Sequence, residues 1–135
     1  MKVLLSIKPE FANKIFSGEK KFEFRKRAFR KIEVHTVVVY STMPVGRIIG
    51  EFTIKTIHQD SPESIWSKTK RFSGIDEVFF NEYYNGRELA VAIEVDNPIL
   101  YKEPINPKEE YDNFTAPQSF MYLKEEQNLS LRQCV

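Results

Sequence analysis

The sequence predicts a small α+β domain, a mixed sheet or open β-barrel of about five to six strands with helices capping its ends. Its 135 residues fit one domain with a core of its own. Short β-branched or alternating runs recur along the chain, and the helical patterns between them carry start and stop signals. We place the domain in residues 1–127 and expect residues 128–135 to form a poorly ordered tail.

The first part of the chain predicts a strand, a helix and a second strand. A short apolar strand comes first. Pro9 suits the first turn of the following helix, and Gly18 suits its end. Residues 20–27 then alternate, with charged side chains on one face and Phe22 and Phe24 on the other. We expect the two phenylalanines in the core and the charged face toward solvent or a ligand.

The middle of the chain predicts two strands and two helices. Glu33–Tyr40 contains a β-branched run typical of a strand buried on both faces. Arg47–Ile57 is a further strand, in which Gly50 indicates a bulge or a close backbone approach. Residues 60–63 combine a cap residue with a proline and so predict a helix start. A second helix is predicted to begin near Ser73.

The last part predicts strands separated by turns. Glu88–Val95 alternates in the manner of a strand with one buried face. Residues 97–98, Asn-Pro, predict a turn before a short strand at Ile99–Tyr101. Residues 116–123 are expected to form a loop that leads into a short helix at Lys124–Gln127.

Charge is distributed unevenly along the chain. The net charge is +1, but residues 1–31 carry ten Lys or Arg and three Glu, near +7, and the remainder is near −6. This asymmetry indicates a face that binds a polyanion. The alternative is that folding interleaves the two signs.

Composition also bears on the class of protein. The single cysteine, Cys134, allows no intramolecular disulfide, as in a reducing compartment. His35 and His58 are far apart and have no partners at metal-ligand spacing, so we expect neither a metal nor a cofactor. No apolar run approaches the roughly 18 residues of a membrane span, and the run after Lys2 is too short for a signal peptide. We expect a cytoplasmic protein.

Charged and aromatic residues alternate after Gly18, and this segment is the candidate site. Arg25 offers a planar fork that suits a phosphate or a base edge, and Lys20 a point charge near the mouth of a cleft. Glu23 could accept a hydrogen bond from an exocyclic amine of cytosine or guanine, or pair with Arg25 or Lys21. Strict alternation puts Lys20 on the face opposite Glu23, unless Lys20 lies in the preceding turn.

Three segments together resemble a known family. Ser6–Glu10 runs into the first helix, the pattern Gly18-x-Lys20-x-x-Glu23-x-Arg25 follows it, and Tyr40-Ser41-Thr42 ends a valine-rich strand. Over residues 3–101 the chain resembles the ASCH (activating signal cointegrator homology) domain, a branch of the PUA-like superfamily. The resemblance implies a small β-barrel with capping helices and a cleft beside the first helix that binds RNA or a nucleotide.

The candidate binding residues come from distant parts of the chain. They are Lys8, Lys20, Lys21, Glu23, Arg25, Arg27, Tyr40, Ser41, Thr42, Gln118, Ser119 and Phe120. Lys26, Arg27, Arg30 and Lys31 would extend a positive track for phosphate contacts, or form a solvated strand end or loop. The alternatives are a polar turn at residues 40–42 and a core position for Phe120.

Three functions remain open, and we favour the first. One is a binding module for RNA or a nucleotide, with DNA as an alternative ligand and a regulatory role. The second is a hydrolase acting on RNA or a nucleoside through Lys20 and Glu23. Relatives that resemble the amidohydrolase of N4-acetylcytidine have threonine at the position of Glu23, so this chain lacks that hydroxyl. The third is a protein-interaction domain of a transcriptional coregulator. The sequence predicts no membrane partner and does not indicate the oligomeric state.

Overall fold

The computed structural model describes residues 1–31, 33–111, 113–118 and 120–123. In chain order the elements are β1 (Lys2–Ile7), α1 (Pro9–Ser17), β2 (Phe22–Arg25), β3 (Thr36–Ser41), β4 (Arg47–Asp60), α2 (Pro62–Thr69), a 3-10 turn (Lys70–Phe72), α3 (Glu77–Tyr83), β5 (Ala90–Ile105), α4 (Pro107–Glu110) and β6 (Phe120–Leu123). The predicted α+β class with about five to six strands is confirmed.

One mixed sheet contains all six strands, in the order β2-β5-β4-β3-β1-β6. β1 and β3 run parallel, and every other neighbouring pair is antiparallel. The connection from β1 to β3 carries α1 and β2, and α1 packs Ala12 and Ile15 on one face of the sheet. β2 therefore ends up at the far edge of the sheet, next to β5, where α2 and α3 cover it.

Local signals explain the first helix and the bulge at Gly50 in β4. Pro9 occupies the first helical position, and Gly18 ends α1 in the left-handed conformation, with φ of 89°, as predicted. The predicted close approach at Gly50 is also confirmed. A Cβ there would lie 2.5 Å from the carbonyl oxygen of Ile99 and 2.6 Å from the ring of Phe16, and the register shifts beside it.

The prediction of two short strands around a turn at residues 97–98 is wrong. β5 continues through these residues for 16 residues, because bulges and a positive φ of 46° at Asn97 absorb the irregularity. The prediction of a single buried face in this strand is also wrong. Residues 90–93 are buried on both faces, since Ile93 packs in the cluster under α1 while Ala90 and Ala92 pack under α2 and α3.

Three further boundaries differ from the prediction. β2 begins at Phe22 instead of residue 20, so the two lysines before it lie in the preceding turn. α3 begins at Glu77, and Asp76 caps it by accepting a hydrogen bond from the backbone N–H of Phe79 at 2.8 Å. Residues 120–123 form a strand instead of a loop, because they pair with β1. The helix predicted at 124–127 and the tail lie outside the described residues.

The longest described helix, α1, has nine residues. A bilayer span needs about 20 residues, so no helix in the described part of the chain is long and apolar enough to cross a membrane.

Candidate nucleic-acid interface

A cleft of about 680 Å³ opens between α1, β2, α3 and the segment that leads into β6. Its charged lining residues are Lys8, Lys20, Glu23, Arg25, Lys26, Arg27 and Arg87. Its aromatic lining residues are Phe11, Phe24, Phe79, Tyr83 and Phe120. Ser6, Ile7, Ile75 and Gln118 also line it. Among the described lining residues, six cations therefore face one carboxylate and five aromatic rings.

Lys20 lies deep in this cleft and not near its mouth, where we expected it. Its side chain is 2% exposed, because it precedes β2 and the loop before α3 folds over it. Nζ donates a hydrogen bond to the carbonyl oxygen of Ser73 at 2.6 Å. Gly74 takes a φ of 69° against the lysine stem, and a Cβ there would lie 2.6 Å from Lys20 Cβ. Only glycine fits this position without strain.

The surroundings of Lys20 lower its pKa to about 8. Burial is the main cause, because it removes the ammonium from water, and the positive charge of Lys14 adds to it. The negative charge of Glu23 acts in the opposite direction. Aromatic rings replace part of the lost solvation, since Nζ lies 4.6 Å from the ring centroid of Phe24 and 5.6 Å from that of Phe11.

Glu23 and Arg25 form an ion pair beside Lys20. The guanidinium Nη1 lies 3.3 Å from Glu23 Oε2, and the Glu23 residue is only 7% exposed. Both side chains line the cleft together with Lys20. The conflict expected from strict alternation does not arise, because Lys20 lies in the turn before the strand. Glu23 is thus positioned both to pair with Arg25 and to face the cleft.

Two tyrosines hold the backbone of β2: Tyr83, the last residue of α3, and Tyr84, which caps that helix. The hydroxyl of Tyr84 lies 2.8 Å from the carbonyl oxygen of Arg25 and 3.0 Å from that of Val91. The hydroxyl of Tyr83 donates to the carbonyl oxygen of Phe24 at 3.4 Å. Burial raises the pKa of both hydroxyls, so they remain neutral donors. The hydrogen bond from Tyr84 therefore holds the backbone of Arg25 beside the cleft.

The structure brings together most of the candidate residues, but not all. Those that line the cleft are Lys8, Lys20, Glu23, Arg25, Arg27, Gln118 and Phe120. Lys21 points elsewhere, with Nζ 4.3 Å over the ring of Phe72. Arg30 and Lys31, from the expected positive track, lie beside Tyr122, whose hydroxyl accepts a hydrogen bond from the backbone N–H of Arg30 at 3.1 Å. Ser119 lies outside the described residues.

The end of β3 does not contribute to the cleft lining. Tyr40 is 6% exposed and packs on Phe114, with ring centroids 5.6 Å apart. Ser41 is buried, and the backbone N–H of Thr42 donates to the carbonyl oxygen of Ile7 at 3.0 Å. Tyr40 packs in a second core cluster with Leu4 and β5 residues, although Tyr40 and Ser41 pair with Ser6 and Ile7 of β1, which do line the cleft.

The sequence model of the ASCH domain family matches residues 5–99 of the chain. This protein belongs to the ASCH domain family. It is 32% identical over 134 residues to the ASCH domain-containing ribonuclease of Zymomonas mobilis, a match that covers 95% of this chain and 88% of that protein. It is 29% identical to a large ribosomal subunit protein uL22 of Ureaplasma parvum, of which it spans only 39%.

Solved ASCH structures share the whole fold. The crystal structure of ASCH from Zymomonas mobilis matches with a TM-score of 0.89 and 31% identity, over 97% of this chain and 93% of that one. A tyrosine-to-phenylalanine variant of that protein matches equally well, at 30% identity over 97% and 96% of the two chains. The N-terminal domain of McrB from Staphylothermus marinus, 12% identical with a TM-score of 0.57, shares the fold alone.

Several residues that line the cleft of this ASCH domain were not predicted from the sequence. Phe79, Tyr83 and Arg87 come from α3 and the loop after it, which sequence patterns assign only to a helix and its end. Gly74 could have indicated that the segment before α3 lies against the cleft, because a Ser-Gly pair is typical of a turn that can approach another segment closely. Among the described residues, no group of three or more His, Cys, Asp or Glu is placed to hold a metal ion.

Proposed function

We propose that this ASCH domain binds single-stranded RNA in the cleft. The observation that carries the proposal is the excess of cations over acids among the described lining residues, six against one, on a surface that also presents aromatic rings. Cations that follow a phosphate backbone and rings that stack on bases are the two components of single-strand binding. The resemblance to a protein named as a ribonuclease supports RNA as the polymer.

The cleft offers a distinct contact for each part of a nucleotide. The guanidinium groups of Arg25 and Arg27 suit the phosphates. The ring of Phe120 packs edge-on against Phe29, with centroids 5.0 Å apart, and is held in place to stack on a base. The side chain of Gln118, exposed at the cleft, can bond to a base edge. Glu23 adds an acceptor for an exocyclic amine.

Fluorescence anisotropy of a labelled mixed-sequence RNA over a salt series tests this proposal. Three or four phosphate contacts predict a slope of log affinity against log salt of roughly −2 to −3. We expect Arg25→Ala to weaken binding about tenfold and to reduce the slope by about 0.7. Arg71→Ala is the matched control, because Arg71 is an exposed arginine outside the cleft lining. Equal affinity and slope in wild type and Arg25→Ala would contradict the proposal.

A second candidate function is cleavage of the bound RNA. It is favoured by the similarity to a named ribonuclease and by Lys20, whose pKa of about 8 lies close to neutral pH, beside a buried carboxylate. In this mechanism the 2′-oxygen attacks the adjacent phosphorus while Glu23 takes the 2′-hydroxyl proton. The bond from phosphorus to the 5′-oxygen breaks, and Lys20 donates a proton to that oxygen. Arg25 stabilises the charge on the phosphoryl oxygens.

The products would be a 2′,3′-cyclic phosphate and a 5′-hydroxyl. Lys20 has three N–H donors and its bond to Ser73 uses one, so donors remain for the leaving group. Because Lys20 must be protonated to act as the acid, the rate should fall as the pH rises through about 8. We expect Glu23→Gln to abolish cyclic ends while RNA binding persists. The absence of cyclic ends from wild type over hours would reject cleavage and leave the binding proposal intact.

A further inference from the structure

We propose that the RNA continues from the cleft into a second groove beside it, so that the ligand is a strand of several nucleotides and not a mononucleotide. The inference rests on the proposed function, since it extends the same site. The second groove has a volume of about 790 Å³. It lies between the residues after β2, Gln59 at the end of β4, and the loop Asn85–Leu89 that connects α3 to β5.

The two cavities adjoin through a border of positive charge. Lys26, Arg27 and Arg87 line both of them. A strand that lies in the cleft and crosses this border passes three cations in succession, which suits consecutive phosphates. Each cavity is within the roughly 300 to 1,000 Å³ that holds one drug-sized ligand, so the two together exceed the space that a single nucleotide fills.

The chemistry of the two cavities differs in a way that fits a nucleic-acid strand. The cleft presents five aromatic rings, whereas the described lining of the second groove has none. The second groove instead presents the amides of Gln59 and Asn85, which can bond to sugar hydroxyls and phosphate oxygens. We therefore assign base stacking to the cleft and backbone contacts to the second groove.

Two of the three border cations, Lys26 and Arg87, contact the tyrosines beside the cleft. Lys26 Nζ lies 4.9 Å over the ring of Tyr83, which itself lines the cleft. The backbone N–H of Arg87 donates to the carbonyl oxygen of Tyr84 at 2.9 Å, and the Tyr84 hydroxyl donates to the backbone carbonyl oxygen of Arg25. Tyr84 thus connects the backbones of Arg25 and Arg87, which keeps the start of the second groove next to the cleft.

Competition binding with 5′-phosphorylated oligoribonucleotides of one, two, four and eight residues tests the inference, with probe integrity checked on a gel after each titration. The variant Gln59→Glu/Asn85→Asp places two negative charges in the second groove and leaves the cleft lining unchanged. We expect it to weaken binding of the octamer about threefold to tenfold and binding of the dinucleotide less than about twofold, because only the longer strand reaches those charges.

Matched variants separate this path from a general effect of charge. Asn13→Asp/Asn81→Asp makes the same change in net charge on exposed helix positions outside both cavities, and it should leave octamer binding within about twofold of wild type. Glu88→Gln removes the acid of the second groove and should strengthen octamer binding by about twofold. This gain cannot come from misfolding, so it keeps the test decisive if the double variant is unstable.

The outcomes distinguish the inference from the proposal on which it rests. Failure of every oligonucleotide to bind would reject the proposed function. Dinucleotides that bind as tightly as octamers would leave the proposed function standing and overturn the second groove. Equal losses in the groove variant and its control would also overturn it.

Discussion

Two buried carboxylates in this protein have opposite surroundings. Glu51, on β4, accepts a hydrogen bond from the hydroxyl of Tyr101 at 2.8 Å and lies 3.5 Å from the ammonium of Lys2. It is not part of the cleft lining. Glu23, on β2, pairs with Arg25 but faces an open volume lined by further cations. Burial alone therefore does not mark a functional acid.

Glu51 and Glu23 differ in the balance of charges around them. Around Glu51 the described partners come from β1 and β5, and the cluster joins strands of the sheet. Around Glu23 the described cleft lining also carries Lys20, Arg27 and Arg87, and its positive charges exceed its negative charge. An excess of one sign in a concave site favours a ligand of the opposite sign. The first cluster should therefore contribute to stability, and the second to binding.

The largest effect on stability is expected for Glu51→Ala. The substitution leaves the buried Tyr101 hydroxyl without this acceptor and the ammonium of Lys2 without this carboxylate. We expect a loss of about 2 to 4 kcal/mol in the free energy of unfolding, measured by urea denaturation. RNA affinity of the folded protein should stay within about twofold of wild type. A large loss of RNA affinity in Glu51→Ala at unchanged stability would contradict the assignment of Glu51 to stability and Glu23 to binding.

Lys20→Met should have the opposite effect on stability. The buried ammonium is costly, as its lowered pKa shows, and methionine of similar length would remove that cost. We expect the free energy of unfolding at pH 7 to rise by about 1 to 3 kcal/mol while RNA binding weakens. A variant that is both less stable and fully active in binding would contradict the role assigned to Lys20.

The same lysine predicts a pH dependence of known sign. Below a pH of about 8, Lys20 is charged in both the folded and unfolded states, so the full cost of burial is present. Between about 8 and the ordinary lysine pKa of 10.5, the folded protein loses this proton while the unfolded chain keeps it, so stability rises with pH. The difference in unfolding free energy between Lys20→Met and wild type should therefore shrink from pH 7 to pH 9.5. A constant difference would show that the lysine is not buried as described.

The smallest effect is expected for Lys21→Ala. This lysine adjoins Lys20 in sequence, but it is exposed and lies over the ring of Phe72 outside the cleft. Removal of an exposed cation–π contact should change stability by less than about 1 kcal/mol and RNA affinity by less than about twofold. Lys8→Ala, which removes a lysine from the cleft lining, is the comparison in the same anisotropy assay and should weaken binding more.

The parts of the fold that were predicted well depend on the conformational properties of single residues. The end of α1 at Gly18 and the close approach at Gly50 follow from backbone conformation and from the absence of a side chain. The continuation of β5 through Asn97 could not be predicted, because its bulges form against β4. The cluster of Lys20, Glu23 and Arg25 was recognisable from its short spacing. The burial of Lys20 was not, since a loop 53 residues later in the chain covers it.

The pairing of β6 with β1 also affects where this domain can be cut. The family match ends at residue 99, but β1 is a neighbour of β6, with Lys2 opposite Leu123 and Leu5 opposite Phe120. A fragment that stops near residue 99 would leave β1 as an edge strand with free N–H and C=O groups and apolar neighbours. Such an edge is a template for pairing with another chain. The smallest unit that stays monodisperse should therefore extend through residue 123.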